Sequence, residues 1–266
     1  MPDAVRLLTA WAEDAARFAD VLALQDPSWG ARHHPFAGGR LVLCGTGMYV
    51  NRALAAGITA PIRPADIEVA DQWCRDVGVP LAVDVTRLTT GASRRALEAA
   101  GIRPEPSSAT AFTWPVGAAL PDAPDDIVIR SVSAAALGEW QAASAAGWGH
   151  ETADARRVSD AFVRAAREVD GDGMVLALDA ADGRTLGCAS LTVNGGVATL
   201  GGMSTLPAER RRGVQAALVR HRLGVALAAG CDIIASSAVT GGASERNLGR
   251  LGFQPLLQVT TWRRGE

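Results

Sequence analysis

Apolar and polar positions change period several times in the last third of the chain. Val197-Ala198-Thr199-Leu200 opens an extended run that reaches Leu206 and stops at Pro207, the pattern of a buried strand. After Gly213, Leu218, Val219, Leu223, Ala226 and Leu227 recur at three- and four-residue spacing, which places them on one buried helix face. Gly230 supplies the stop for that helix. An apolar strand runs from Cys231 to Val239, a short helix from Gly242 to Leu251, and a last strand follows Gly252-Phe253 and reaches Trp262. The same alternation appears earlier. Met1 to Leu24 is an amphipathic helix, Arg40 to Cys44 a strand, Pro64 to Val77 a helix, Pro80 to Thr86 a strand, and Ala109 to Val116 a β-rich run.

The two series are related. The stretch from Gly91 to Pro104 aligns with that from Gly242 to Pro255 at an offset of 151 residues, with Gly91, Ala92, Ser93, Arg95, Leu97, Gly101 and Pro104 finding identical partners. A repeat on this scale points to a duplicated domain rather than a short-period solenoid. The boundary is expected between Gly117 and Asp125, where Pro121 and Pro124 interrupt the pattern, giving domains 1–120 and 121–266.

Composition narrows the partners. A net charge of −2 argues against general nucleic-acid binding, and charges break every apolar run before membrane-spanning length. Without a signal-like N-terminus, the expected location is cytoplasmic. The four cysteines have no paired spacing and read as reduced, buried thiols. His33-His34 reads as part of a loop, and no metal site is expected there or elsewhere. Gly45-Thr46-Gly47 reads as a turn.

Candidate chemistry concentrates in Arg210-Arg211-Arg212-Gly213-Val214-Gln215-Ala216. A strand, a short basic loop and a helix N-terminus make an anion site, because free N–H groups and the helix dipole both favour negative charge. A P-loop needs a Lys-Ser/Thr pair, and the chain has no lysine. A dinucleotide fingerprint needs three spaced glycines, and only Gly213 is present.

The loop resembles the Arg/Gln-x-x-Gly-x-Gly/Ala motif of the GCN5-related N-acetyltransferase (GNAT) superfamily. Arg210 and Gly213 match it, while Gln215 stands where the family has a small residue, with Ala216 one step later. The following order of strand, Asn-bearing helix and Gly-Phe extends the resemblance from about Asp126 to Trp262. It implies an α/β fold with a mixed α+β sheet, built as two GNAT-like domains in tandem. The first half lacks the Arg-x-x-Gly turn and has Pro64 at its helix start, so it reads as a degenerate copy.

The resemblance also implies a donor site for acetyl-CoA or another acyl-CoA, with no metal. Arg211, Arg212, Gly213, Val214, Gln215 and Ala216 would hold the pyrophosphate, and Thr205 and Leu206 would pair with the pantetheine arm. A backbone N–H near Leu206 would bind the thioester carbonyl, and Ser244 and Asn247 would add side-chain contacts. Gly213→Trp is expected to block this cradle while leaving the fold intact. Catalytic groups are less evident. Leu248 occupies the place of the family's acid tyrosine, which leaves Ser244 or water, and Arg246 as a thiolate partner. For the base, His150 and Glu151 are the candidates, with Glu139 and Asp154 nearby in sequence. Trp140 and Trp148 are expected in the core. The leading reading is an N-acyltransferase that moves acetyl from acetyl-CoA to a small-molecule amine. Two others are an acyltransferase fed by an acyl carrier protein, whose acidic surface the arginines would meet, and a non-catalytic acyl-CoA sensor.

Overall fold

Long-range strand pairing divides the chain in a way local periodicity does not reveal. The computed structural model describes residues 2–150 and 152–265, and Glu151 lies outside them. Two compact units emerge: Met1–Phe112 with Ala238–Arg246 and Pro255–Glu266, and Thr113–Ser237 with Asn247–Gln254. These compact units interleave along the chain. The C-terminal strand belongs to the first unit, because a strand's partner is set by burial and register, which sequence separation does not constrain.

The first unit opens with α1 (Pro2–Gln25), whose buried face carries Leu7, Leu8, Phe18 and Leu22. It continues through β1 (Arg32–Phe36), β2 (Gly39–Leu43), β3 (Arg52–Leu54), α2 (Pro64–Asp76), β4 (Ala82–Thr86), α3 (Gly91–Ala99) and β5 (Ile102–Trp114), the last crossing into the second unit at its end. His33 and His34, expected in a loop, lie in β1 opposite Val42 and Leu41. His34 stacks on Trp73, with ring centroids 3.7 Å apart, and this packing holds the strand through Pro35. The order within the unit is β1-β2-β3-β4, then the C-terminal strand, then β5. That C-terminal strand pairs antiparallel with β4 from Val259↔Thr86 to Arg263↔Ala82. One core gathers Leu41, Leu43, Ile67, Leu81, Val83, Leu97 and Ile102.

The second unit holds β6 (Ile127–Ser131), α4 (Leu137–Trp148), α5 (Ala153–Asp170), β7 (Val175–Asp179), β8 (Thr185–Asn194), β9 (Val197–Thr205), α6 (Val214–Ala228) and most of β10 (Ile233–Val239). The chain then passes through α7 (Ala243–Arg250), which spans the division between units, to β11 (Gln254–Arg264), the C-terminal strand. Strands run β10-β9-β8-β7-β6, antiparallel except for the parallel β9–β10 pair. Alternation of side chains separates two cores. Val175, Ala177, Leu186 and Ala189 pack on Val214, Ala217 and Leu218 of α6. Met174, Leu176, Leu178 and Cys188 pack instead with Trp140 and Ala143 of α4 and Val163 of α5. The sheet is thus clamped between α6 and the α4–α5 pair. All four cysteines are free and buried, and burial pushes Cys44, Cys74 and Cys188 up to about 12.

Candidate active site

Strand β9 is half-paired, and the missing half makes a slot. Its parallel ladder with β10 runs only from Val197↔Ile233 to Thr199↔Ala235. One step further, Ser236 Oγ donates to Leu200 O at 3.0 Å, and no ladder pair joins the two strands after that. On its other edge β9 stays with β8, interrupted where Ser190↔Gly201 gives way to Cys188↔Ser204. Two residues of β9 there, Gly202 and Met203, oppose one of β8, Ala189, a β-bulge. Gly202, within it, is exposed with φ 55°. Leu206 N donates to Leu186 O at 3.0 Å, so that N–H faces β8. Of the N–H groups near Leu206 expected to serve the thioester, its own is thus engaged by β8. By alternation, the main chain of Thr205 faces the opposite, open edge.

After β9 the chain turns through Pro207–Glu209 into the arginine loop. Arg211 has φ 69° and Gly213 φ 81°, left-handed residues on either side of Arg212 that turn successive N–H groups towards one concavity. Helix α6 then starts with no side-chain cap and no acidic residue in its first turn. Its first ladder bond is Ala217 N to Gly213 O at 3.0 Å, which leaves the N–H groups of Val214, Gln215 and Ala216 outside the ladder. Such a start fits a diphosphate through main-chain donors and helix dipole together.

The three arginines do different work. Arg211 is exposed, and Arg210 reaches Gly147 O at 3.5 Å. The Arg212 side chain is committed to structure, while the expectation placed at the pyrophosphate concerns its main chain. Its guanidinium donates to Glu209 at 2.7 Å, Asp179 at 2.9 Å and Asp126 at 3.4 Å. Arg184 bonds the same Glu209 and meets Asp179 at 3.1 Å. The Arg212 and Arg184 hydrogen bonds hold the Glu209 carboxyl below its ordinary range. The Ala181 N–H and then Arg212 do the same for Asp179. This cluster pins the loop to the β7–β8 turn.

Gly213 is needed twice over. Its φ is left-handed, and a Cβ there would come within 2.5 Å of Pro124 Cγ. Gly213→Trp therefore disrupts packing as well as the cradle, contrary to expectation. Gln215 accepts from Asn247 Nδ2 at 2.8 Å, which joins the start of α6 to α7. Ser244 falls in the first unit, exposed in the first turn of α7. It does not cap the helix; Glu245 does that work, accepting from Gly241 N at 2.5 Å.

Opposite the loop, α4 comes very close to β9. A Cβ on Gly147 would lie 1.6 Å from Ser204 Oγ, so only glycine allows this approach. The contact carries Trp148, Gly149 and His150 to the end of β9. Trp140 is core, its Nε1 donating to Ala189 O at 3.2 Å, but Trp148 is 60% exposed, against expectation. His150 belongs to the C-terminal cap of α4, its N–H reaching Ala145 O at 2.9 Å, while Thr152 caps α5. Glu139 is held by Arg130 at 2.6 Å and by Thr185, so it braces β6 and β8. Leu248 is buried, with no hydroxyl at the acid position. Arg156, Arg157, Asp160 and Arg164 line an open groove of about 630 Å³ along α5.

One residue escaped sequence reasoning. Arg222 has 0% exposure, and among the described residues no carboxylate pairs with it. Burial pulls it down to about 9, still protonated at neutral pH. The signal was available: position 222 stands four residues after Leu218 and three after Val219, inside the apolar stripe.

Residues 135–253 match the model of the Acetyltransferase (GNAT) family. They form a GNAT acetyltransferase domain. No curated protein matches the chain. Among solved structures, a tandem GNAT protein from the clavulanic acid biosynthesis pathway superposes with a TM-score of 0.64 at 16% identity, covering 100% of this chain and 95% of that one. A GCN5-related N-acetyltransferase from Kribbella flavida gives 0.62 at 20% identity, covering 95% and 96%. One from Sphaerobacter thermophilus gives 0.58 at 18%, covering 75% and 66%. These likenesses show the fold. The GNAT domain spans the slot, the arginine loop, α6 and α7, and GNAT proteins generally bind acyl-CoA. Among the described residues no cluster of His, Cys, Asp and Glu could hold a metal ion, and no helix is long and apolar enough to cross a membrane.

Proposed function

We propose that the GNAT domain transfers an acyl group, acetyl in the first instance, from acyl-CoA to the amine of a small molecule. The observation that carries this reading is the uncapped start of α6 beside the open edge of β9. Val214, Gln215 and Ala216 offer N–H groups to the diphosphate, with Arg210 and Arg211 adding positive charge. The pantetheine arm lies along β9, where the main chain of Thr205 has no strand beside it. Arg212 serves indirectly, by fixing the loop.

The acceptor enters from the side of Trp148 and His150. An imidazole is suited to accept the ammonium proton near neutral pH, and His150 is the described residue with that chemistry. With leucine at position 248, the thiolate takes its proton from solvent.

Calorimetry with acetyl-CoA, CoA and an acyl-phosphopantetheine tests the donor. Binding of the first two supports the reading, whereas binding of phosphopantetheine with no gain from the nucleotide points to a carrier protein. Thiol release across a panel of amines, with and without carboxylate or phosphate, then tests the acceptor. Donor binding with no thiol release from any amine would leave a sensor.

A further inference from the structure

Arg222 is fully buried, yet its partners are all main-chain carbonyls and a thioether. Nη1 donates to Ser190 O at 2.9 Å and to Gly201 O at 3.1 Å, Nε to Leu218 O at 3.0 Å, and Nη2 meets Met203 Sδ at 3.1 Å. An uncompensated charge in a protein interior is costly, and leucine or methionine would fill the same place on the stripe without that cost. The two carbonyls explain the arginine. Ser190 and Gly201 are the last paired residues before the bulge. The bulge turns both oxygens towards α6, and one guanidinium nitrogen binds them together.

That clamp has a consequence on the other face of the sheet. A trans peptide is planar, with its C=O and N–H pointing in opposite directions. With Gly201 O held towards α6, the N–H of Gly202 points towards α4. There a Cβ on Gly202 would stand 3.4 Å from Trp140, and the residue is exposed. Gly202 also lies just beyond the last β9–β10 pair, at the mouth of the slot.

We propose that Arg222 is a positioning residue for acyl transfer: it clamps the Gly201–Gly202 peptide so that Gly202 N–H donates to the thioester carbonyl oxygen. The inference rests on the acyl-CoA reading of the slot. When the amine nitrogen bonds to the acyl carbon, the carbonyl π pair moves to oxygen and is stabilised by that N–H. Collapse restores the C=O bond, breaks the C–S bond and expels the thiolate. One proton leaves the amine nitrogen for the base, and one reaches the thiolate from solvent. A cation on the far end of the peptide draws density from its nitrogen and strengthens the N–H as donor. The preorganised dipole thus acts where a tyrosine acid is absent.

Two readouts test this in the full chain, using wild type, Arg222→Lys and Arg222→Met. Isotope-edited infrared spectra of bound acetyl-CoA carrying a 13C carbonyl should show the band at lower wavenumber than free in wild type. Arg222→Lys should keep most of that shift and Arg222→Met should lose it, with acetyl-CoA affinity changed by no more than about threefold, because the diphosphate cradle is untouched. An equal shift in all three variants, or none in wild type, overturns the proposal. Should Arg222→Met not fold, 15N-glycine spectra of ligand-free wild type and Arg222→Lys read the clamp alone. The Gly202 amide signal should move, and an unchanged signal refutes the clamp. Failure of wild type to bind acetyl-CoA would instead sink the donor reading, and the role of Arg222 in transfer with it.

Discussion

Each unit carries a short parallel strand pair, a loop and a helix, yet the two helix starts are built differently. In the second unit α6 begins without a cap, and no carboxylate stands in its first turn. In the first unit the helix start is filled by the chain's own groups. Pro64 opens α2 without an N–H, Ile62 N donates to Ser93 Oγ at 2.9 Å, and Arg63 N donates to Asp66 at 2.9 Å. A carboxylate at the helix start takes the place an anion would need. The slot differs as well. β3 and β4 share the single pair Ala53↔Val83, and Leu8 and Trp11 of α1 help close the gap beyond it. The cavity left beside Leu54, Asp84 and Thr86 is about 10 Å³, room for one water. Asp84 has its carboxyl pushed upward by burial and receives Thr261 Oγ1 at 2.8 Å. The two units thus share an order of strand, loop and helix, while a few residues decide whether the helix end stays open or meets its own side chains.

The sharpest way to break the contrast is to give α6 the first unit's device. Ala216→Glu puts a carboxylate in the first turn, which favours the helix and opposes the ligand. CoA affinity should fall at least about tenfold, a cost near 1.4 kcal/mol, with no fall in Tm. Parallel loss of Tm and affinity would mean the variant had damaged the fold instead. Gly147→Ala comes next, because its Cβ would overlap Ser204 Oγ. Denaturant unfolding should show about 1–3 kcal/mol lost, with transfer falling as α4 is pushed from β9. Unchanged stability would refute that tight contact.

Arg212→Met should lower both Tm and CoA affinity by loosening the loop. The sign of the pH effect comes from Glu209 and Asp179, whose folded pKa values are depressed. Their contribution is complete above the unfolded carboxylate range, near about pH 4, and disappears as pH falls through the lower folded values. CoA affinity in wild type should therefore stay flat on acidification to about pH 5, and Arg212→Met should move the acid limb to higher pH. A limb that does not move would show that the cluster leaves the loop unaffected. Asp66→Ala, in the first unit, should cost about 1 kcal/mol by removing a cap and should create no second CoA site, since Pro64 and the closed slot remain.

Much of this contrast was legible in sequence. Apolar spacing located α6 and β9, the Arg-x-x-Gly turn located the loop, and the repeat at Gly91 and Gly242 located α3 and α7. What periodicity could not convey was partnership at a distance. The ion pairs of the Arg212 side chain were hidden, because its partner Asp179 is 33 residues upstream. Leu206 looked like a donor because a strand's two edges are indistinguishable until its neighbours are known. β11 reads locally as the end of the second repeat, but its pairing with β4 places it in the first unit. Arg222 was the one legible residue passed over, a charge on an apolar stripe.

The central claim is that one chain holds one acyl-CoA site, in the second unit. Titration calorimetry with CoA measures it directly, as stoichiometry in wild type and in Ala216→Glu. One equivalent should bind per wild-type chain, with the heat lost in the variant. Two equivalents per chain, or a site that survives Ala216→Glu at full affinity, would contradict it.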